Sequence, residues 1–122
     1  MRARMAFMLL GLALATPLQA AGNAAAGSDR FDEECAECHS LKAGKNKKGP
    51  SLAGIMGKTA GQVPDFVYSD ALRNLHRPWT HDLLDAYLKF PRGAVPGGKM
   101  KYDGLPDAQA RADIIAFLSA PQ

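Results

Sequence analysis

Between His39 and Val67 the chain is broken repeatedly by Gly44, Gly49, Pro50, Gly54, Gly57, Gly61 and Pro64. Glycine and proline at this density mark turns and leave little room for strands or ordinary helices. A structureless run of this length inside a small domain is unusual. Ordering each residue costs about 1–2 kcal/mol of conformational entropy, and loops contribute little apolar area against that cost. A chain built this way needs a large, flat, apolar body for its loops to pack on.

The 122 residues amount to one domain, and the first stretch reads as a leader. Met1 to Arg4 is short and basic, Met5 to Ala15 is apolar, and Ala20 closes a segment containing Pro17. That is the layout of a secretory signal peptide. Its apolar run falls short of the roughly 20 residues that span a bilayer. We place cleavage after Ala20, giving a signal peptide over residues 1–20 and a single domain over residues 21–122. Cleavage removes Arg2 and Arg4, so the formal charge of +3 falls to about +1. A nucleic-acid role has little electrostatic support at that charge.

The flanking segments read as helices, so the fold class is all-α. Asn23 suits an N-cap, and Gly27, Phe31 and Cys35 recur at a spacing of four on one helical face. Ser69 caps a short helix running to Leu75, before Pro78. Thr80 caps another, His81 to Phe90, with Leu83, Leu84, Tyr87 and Leu88 on its apolar side. Pro91 ends it, and residues 92–105 read as loop. Pro106 suits the first turn of a last helix and Asp107 its N-terminal dipole, with Ala110, Ile114, Phe117 and Leu118 as the buried stripe.

Cys35-Ala36-Glu37-Cys38-His39 is the sharpest chemical signal. Two thiols at this spacing can each add to a haem vinyl group, and the next residue then offers imidazole to the iron. A thioredoxin-like dithiol needs a βαβ context, which is not visible. A structural zinc site needs four ligands, and His76 and His81 would have to supply two of them at an unusual separation. A disulfide across so small a loop would stabilise little. The haem reading accounts for the apolar body that the loops require. For the second axial position the residues leave Met56, Met100, His76 and His81. Met100 stands in the turn-rich run Val95-Pro96-Gly97-Gly98-Lys99-Met100 between two helices. Met56 reads as packing, and the two histidines read as surface or helix-start residues.

These residues together resemble the class I cytochromes c, of the bacterial cytochrome c2 and mitochondrial kind, over nearly all of residues 21–122. The resemblance rests on Gly27, Phe31 and the Cys35–His39 motif, and on Gly49-Pro50-Ser51-Leu52-Ala53-Gly54. It continues through Gly61-Gln62, Phe66 to Ala71, Trp79, Tyr87-Leu88, Pro91, Val95 to Met100, and Asp113 to Leu118. It implies a cytochrome c fold with one covalent haem c on Cys35 and Cys38, His39 as proximal ligand and Met100 as distal ligand. It further implies that Pro50 accepts a hydrogen bond from His39, that Tyr68 and Trp79 bond a haem propionate, and that Tyr87 reaches the Met100 sulfur. Gly27 and Phe31 would pack across Phe117. The chain departs from many relatives at Leu72 (for Asn), Gly98 (for Thr), Lys58 (for Arg) and Tyr102 (for Phe).

The implied function is a periplasmic one-electron carrier, not an enzyme, acting as a monomer. Redox partners would dock on Lys42, Lys45, Lys47, Lys48, Lys99 and Lys101, with Lys89 and Arg92 extending the ring. Asp29, Asp32, Glu33, Glu34 and Glu37 are expected to give the opposite side a negative face. Two other readings stay open here: an open-site haem protein with peroxidase or gas-binding activity, and a haem subunit of a larger periplasmic redox enzyme.

Overall fold

The computed structural model describes residues 21–121; the leader read over residues 1–20 lies outside them. The described elements are five helices: α1 (Ala24–Glu34), α2 (Asp70–Arg73), α3 (His81–Lys89), α4 (Pro91–Ala94) and α5 (Ala108–Ser119). Extended pairing among the described residues is limited to one isolated antiparallel bridge, Thr59 with Pro78.

The Asn23 side chain accepts the Ala26 N–H at 3.0 Å and starts α1. Its backbone N–H is donated to Asp113 Oδ1 at 2.8 Å, which ties the start of α1 to α5. The two helices cross at Gly27, where a Cβ would lie 1.9 Å from the Asp113 carbonyl oxygen. Only glycine permits that approach. Beside it the rings of Phe31 and Phe117 meet at 5.6 Å. Burying a side chain such as Phe31 is worth about 1.5–3 kcal/mol, and a paired ring adds about 0.5–1.5 kcal/mol.

Ser69 and Thr80 cap α2 and α3 through their hydroxyls, as expected. Leu83, Leu84, Tyr87 and Leu88 are buried. Helix α2 stops at Arg73, short of the Leu75 expected, and other details also differ from the sequence reading. Helix α3 stops at Lys89, leaving Phe90 as a mostly exposed C-cap. Pro91 not only ends α3 but opens α4, inside a segment read as loop, because a proline lacking its N–H is tolerated at a first helical position. At α5 the Asp107 carboxylate accepts the N–H groups of Gln109 and Ala110, so Asp107 is itself the N-cap and Pro106 precedes the helix.

Helix α5 buries Ala110, Ile114 and Leu118 as read, together with Ile115, Arg111 and Asp113, while Phe117, read in the same stripe, is half-buried. Arg111 is 5 % exposed. Its Nε donates to Asp85 Oδ1 at 2.8 Å, and its Nη1 to the carbonyls of Leu105 and Pro106 at 2.8 and 2.9 Å. One guanidinium thus joins α3, α5 and the end of the loop between α4 and α5. The other long loop is pinned near the bridge, where Gly57 N–H bonds Trp79 O and Trp79 N–H bonds Lys58 O, both at 2.9 Å. This fixes Trp79 against the core, 6 % exposed.

Candidate cofactor and metal site

The Cys35–His39 motif continues the line of α1. Cys35 N–H bonds Phe31 O at 2.8 Å, and Cys38 and His39 N–H both return to Cys35 O, at 3.1 and 2.9 Å. This turn holds the two half-buried thiols and the imidazole on one short, helix-like arc. Burial first, then the charge of Glu34 and the neighbouring Cys38, pushes the Cys35 thiol up to about 11. That is the opposite of the depressed thiol of a redox dithiol, and the described elements, all helices with one isolated bridge, lack the βαβ context that a thioredoxin-like reading needs. The zinc reading fails too: His76 and His81 are exposed, and no group of three or more His, Cys, Asp or Glu among the described residues is placed to hold a metal ion.

His39 donates from Nδ1 to the Pro50 carbonyl at 2.7 Å. That fixes the tautomer, orients the ring, and leaves the Nε2 lone pair for a metal. Burial lowers the His39 pKa, the Pro50 bond opposes this, and the charge of Lys47 adds to the lowering. The net direction favours the neutral ring, the form in which an imidazole binds a metal. Gly49 makes room for it: a Cβ there would lie 2.3 Å from His39 Cε1. The loop that carries Pro50 hangs on polar bonds that motif reading missed. Asn46 accepts Ser51 N–H and donates to Pro64 O, both at 2.9 Å, while Ser51 Oγ donates to Lys42 O at 2.8 Å. The only advance signal was that Asn and Ser favour turns.

Met100 is half-buried, and the Tyr87 hydroxyl donates to its sulfur at 3.8 Å. Burial pushes the Tyr87 phenol up, so it remains a donor at neutral pH. The Tyr87 ring packs on Trp79 at 5.1 Å. Met56 packs against the core, as its packing reading required. The Tyr68 hydroxyl accepts the Val63 N–H at 3.2 Å, and the ring meets Phe66 edge-on at 4.9 Å. The Lys99 ammonium donates to the Val67 carbonyl and lies 5.3 Å from the Phe66 ring centre. Lys58 donates to Ala53 O at 3.0 Å. Tyr102 donates to Glu34 Oε2 at 2.8 Å. Burial, then that bond and the Glu34 charge, raises the Tyr102 pKa.

These residues fit a haem. The donor set is two thiols, an imidazole held in the right tautomer and a tethered thioether. Leu41, Leu52, Leu72, Leu75 and Leu105 are half-buried hydrophobics packed on the same core, and they suit the face of a macrocycle. The site is electrostatically mixed. Lys42, Lys45, Lys47, Lys48, Lys99 and Lys101 are exposed. The acids were expected on the opposite side, but Glu37 lies 3.4 Å from Lys48 and Glu34 meets the Met100 loop. The reason is local: the acids flank the cysteines on the same arc that the lysine loop folds back to cover.

Comparison with known proteins agrees with this site. The cytochrome c family profile matches residues 24–120. A c-type cytochrome cy of Rhodobacter capsulatus is 43% identical over 103 residues, 84% of this chain and 51% of that protein. Cytochrome c2 of Rhodopila globiformis is 44% identical over 97 residues, 80% of this chain and 92% of that protein. Cytochrome cH from Methylobacterium extorquens superimposes with a TM-score of 0.74 at 39% identity, covering 80% of this chain and 97% of its own.

Proposed function

The chain belongs to the cytochrome c family, and from that premise we propose that it is a periplasmic one-electron carrier whose haem iron is ligated by His39 and Met100. It is an electron-transfer protein and not an enzyme, with a c-type haem attached through Cys35 and Cys38. The haem supplies the one-electron couple. The protein's part is to hold both ligands in place, to set the basicity of the His39 nitrogen through Pro50, and to keep water from the iron.

The observation that carries the reading is the Tyr87 hydroxyl on the Met100 sulfur, 3.8 Å away. It restrains a thioether that would otherwise be one more packing residue. An iron held by both His39 and Met100 would offer no site to a substrate, and the group would then pass electrons from its exposed edge. Tyr68 and Trp79 bond a propionate in this reading, through the polar tips that aromatic residues keep at such edges. A potentiometric titration tests the ligation. The wild type should give a single one-electron wave, and Met100→His should lower its midpoint, since a Met/His pair raises the potential. A Met100→His variant titrating like the wild type would argue against a coordinated thioether.

Export follows from the leader over residues 1–20. No described helix is long and apolar enough to cross a membrane. Fractionation should recover haem-loaded protein from the periplasm with Ala21 as its first residue; a cytoplasmic, full-length product would contradict this. Docking is assigned to Lys42, Lys45, Lys47, Lys48, Lys99 and Lys101. Electron-transfer rates with an acidic redox partner should fall steeply as salt shortens the Debye length to about 10 Å at 0.1 M. Salt-independent rates would remove the lysines from the account.

A further inference from the structure

We propose that the Tyr102–Glu34 hydrogen bond is a latch that holds the Met100 loop closed, which makes both residues positioning residues for the sixth ligand. The inference rests on Met100 ligation as proposed above.

The loop leaves α4 at Val95, which is buried, and returns at Leu105, whose N–H bonds Leu88 O at 2.8 Å. Arg111 grips Leu105 and Pro106 at that end. Between these anchors Pro96 to Lys99, Lys101 and Asp103 are exposed; ahead of Met100 the Lys99 ammonium holds the loop to the Val67 carbonyl and the Phe66 ring, and beyond Met100 fewer side chains hold it. Arg92 lies 3.9 Å from Asp103 with both side chains largely exposed, a pair worth little. The Tyr87 bond ends on a sulfur, a weak acceptor. The Tyr102 bond is the one that ties the segment beyond Met100 to the end of α1. A phenol donates to a carboxylate at 2.8 Å, and charge-assisted bonds are roughly twice as strong as neutral ones.

Its placement matters as much as its strength. Tyr102 is two residues beyond Met100, and Glu34 is the residue before Cys35. Glu34 is also the last residue of α1, so its backbone is fixed by the helix. One bond between groups 68 residues apart therefore joins the segment bearing the sixth ligand to the segment bearing the thioethers and His39. A phenylalanine at residue 102 would fill the same space without making this connection.

Cyanide binding to the ferric, haem-loaded protein tests the latch, because cyanide reaches the iron only when Met100 has left it. Tyr102→Phe and Glu34→Ala should each speed binding about five- to tenfold, just under the range for a bond to a charged group because Glu34 is exposed. The double variant should be no faster than either single one. Glu34→Gln, which keeps an acceptor oxygen, should fall between wild type and Glu34→Ala. Glu33→Ala, which removes a neighbouring charge that pairs with Arg30, should leave the rate within about twofold. Backbone hydrogen exchange across residues 99–104 gives a readout independent of iron, and should quicken in the same variants. Single variants matching wild type in both measurements, or a double variant that multiplies the two effects, would overturn the latch. A wild type that binds cyanide without delay would count instead against Met100 ligation, and hydrogen exchange would still decide the latch.

Discussion

Gly27→Ala sets two opposed effects against each other at the crossing of α1 and α5. In an unstrained helix interior alanine is favoured over glycine by about 0.8–1 kcal/mol. Here the new Cβ would sit 1.9 Å from Asp113 O and 2.8 Å from Phe117 Cβ. The first neighbour is backbone and cannot swing aside. Ordinary contact begins near 3.4 Å, so the helices must separate by about 1.5 Å, and even a 0.5–1 Å gap forfeits a quarter to a half of a dispersion well. The Phe31–Phe117 pair loosens, and the bond from Asn23 N–H to Asp113 stretches. Overpacking costs about 1–3 kcal/mol, and loss of the aromatic pair adds about 0.5–1.5 kcal/mol. After the gain in propensity, the net destabilisation is about 2 kcal/mol. Thermal unfolding of the haem-loaded protein, followed by far-ultraviolet circular dichroism, should show a midpoint lower by roughly 10 °C. Serine at Gly27 should behave likewise. A Gly27→Ala protein as stable as wild type would refute the idea that this crossing is closed by backbone contact.

Gly49→Ala drives a methyl against a His39 ring held by the Pro50 carbonyl. Losing that bond makes the imidazole a poorer donor to ferric iron, so the reduction potential should rise; an unchanged potential would contradict the coupling. Arg111→Ala strips Asp85 and two carbonyls of their partner and should cost about 2–4 kcal/mol by denaturant titration. Asp85→Asn should cost about 1 kcal/mol or less, because Asp85 is half-exposed; equal losses would show that the carboxylate, not the carbonyls, dominates. The bond from Asn23 N–H, then that from Gln109, holds the Asp113 carboxyl below the usual carboxylate range. A depressed carboxylate stabilises fully above its unfolded pKa and loses that share as pH falls through the folded value. The penalty of Asp113→Asn should therefore be present at neutral pH and fade in strong acid, and a penalty constant with pH would refute the assignment.

What was legible beforehand was local. Asn23, Ser69 and Thr80 cap helices with their own side chains, and the thiols and imidazole of Cys35 to His39 occupy one turn. The family resemblance supplied the pairing of His39 with Pro50 and of Met100 with Tyr87, which spacing alone does not give. What stayed hidden depends on partners far along the chain. Arg111 and Asp113 look like the polar face of an amphipathic helix until Asp85 and Asn23, 26 and 90 residues away, arrive beside them. Glu34 reads as part of a solvated acidic face until Tyr102 reaches it. Pro91 both ends α3 and opens α4, because a residue that cannot continue a helix is well suited to begin one.

The absorption spectrum of the ferric, haem-loaded protein tests the central claim most directly. Coordination of the Met100 thioether predicts a weak far-red charge-transfer band in the wild type. Met100→Ala should abolish that band while leaving the haem attached through Cys35 and Cys38. A wild-type spectrum without the band, unchanged by Met100→Ala, would contradict a closed His39/Met100 site.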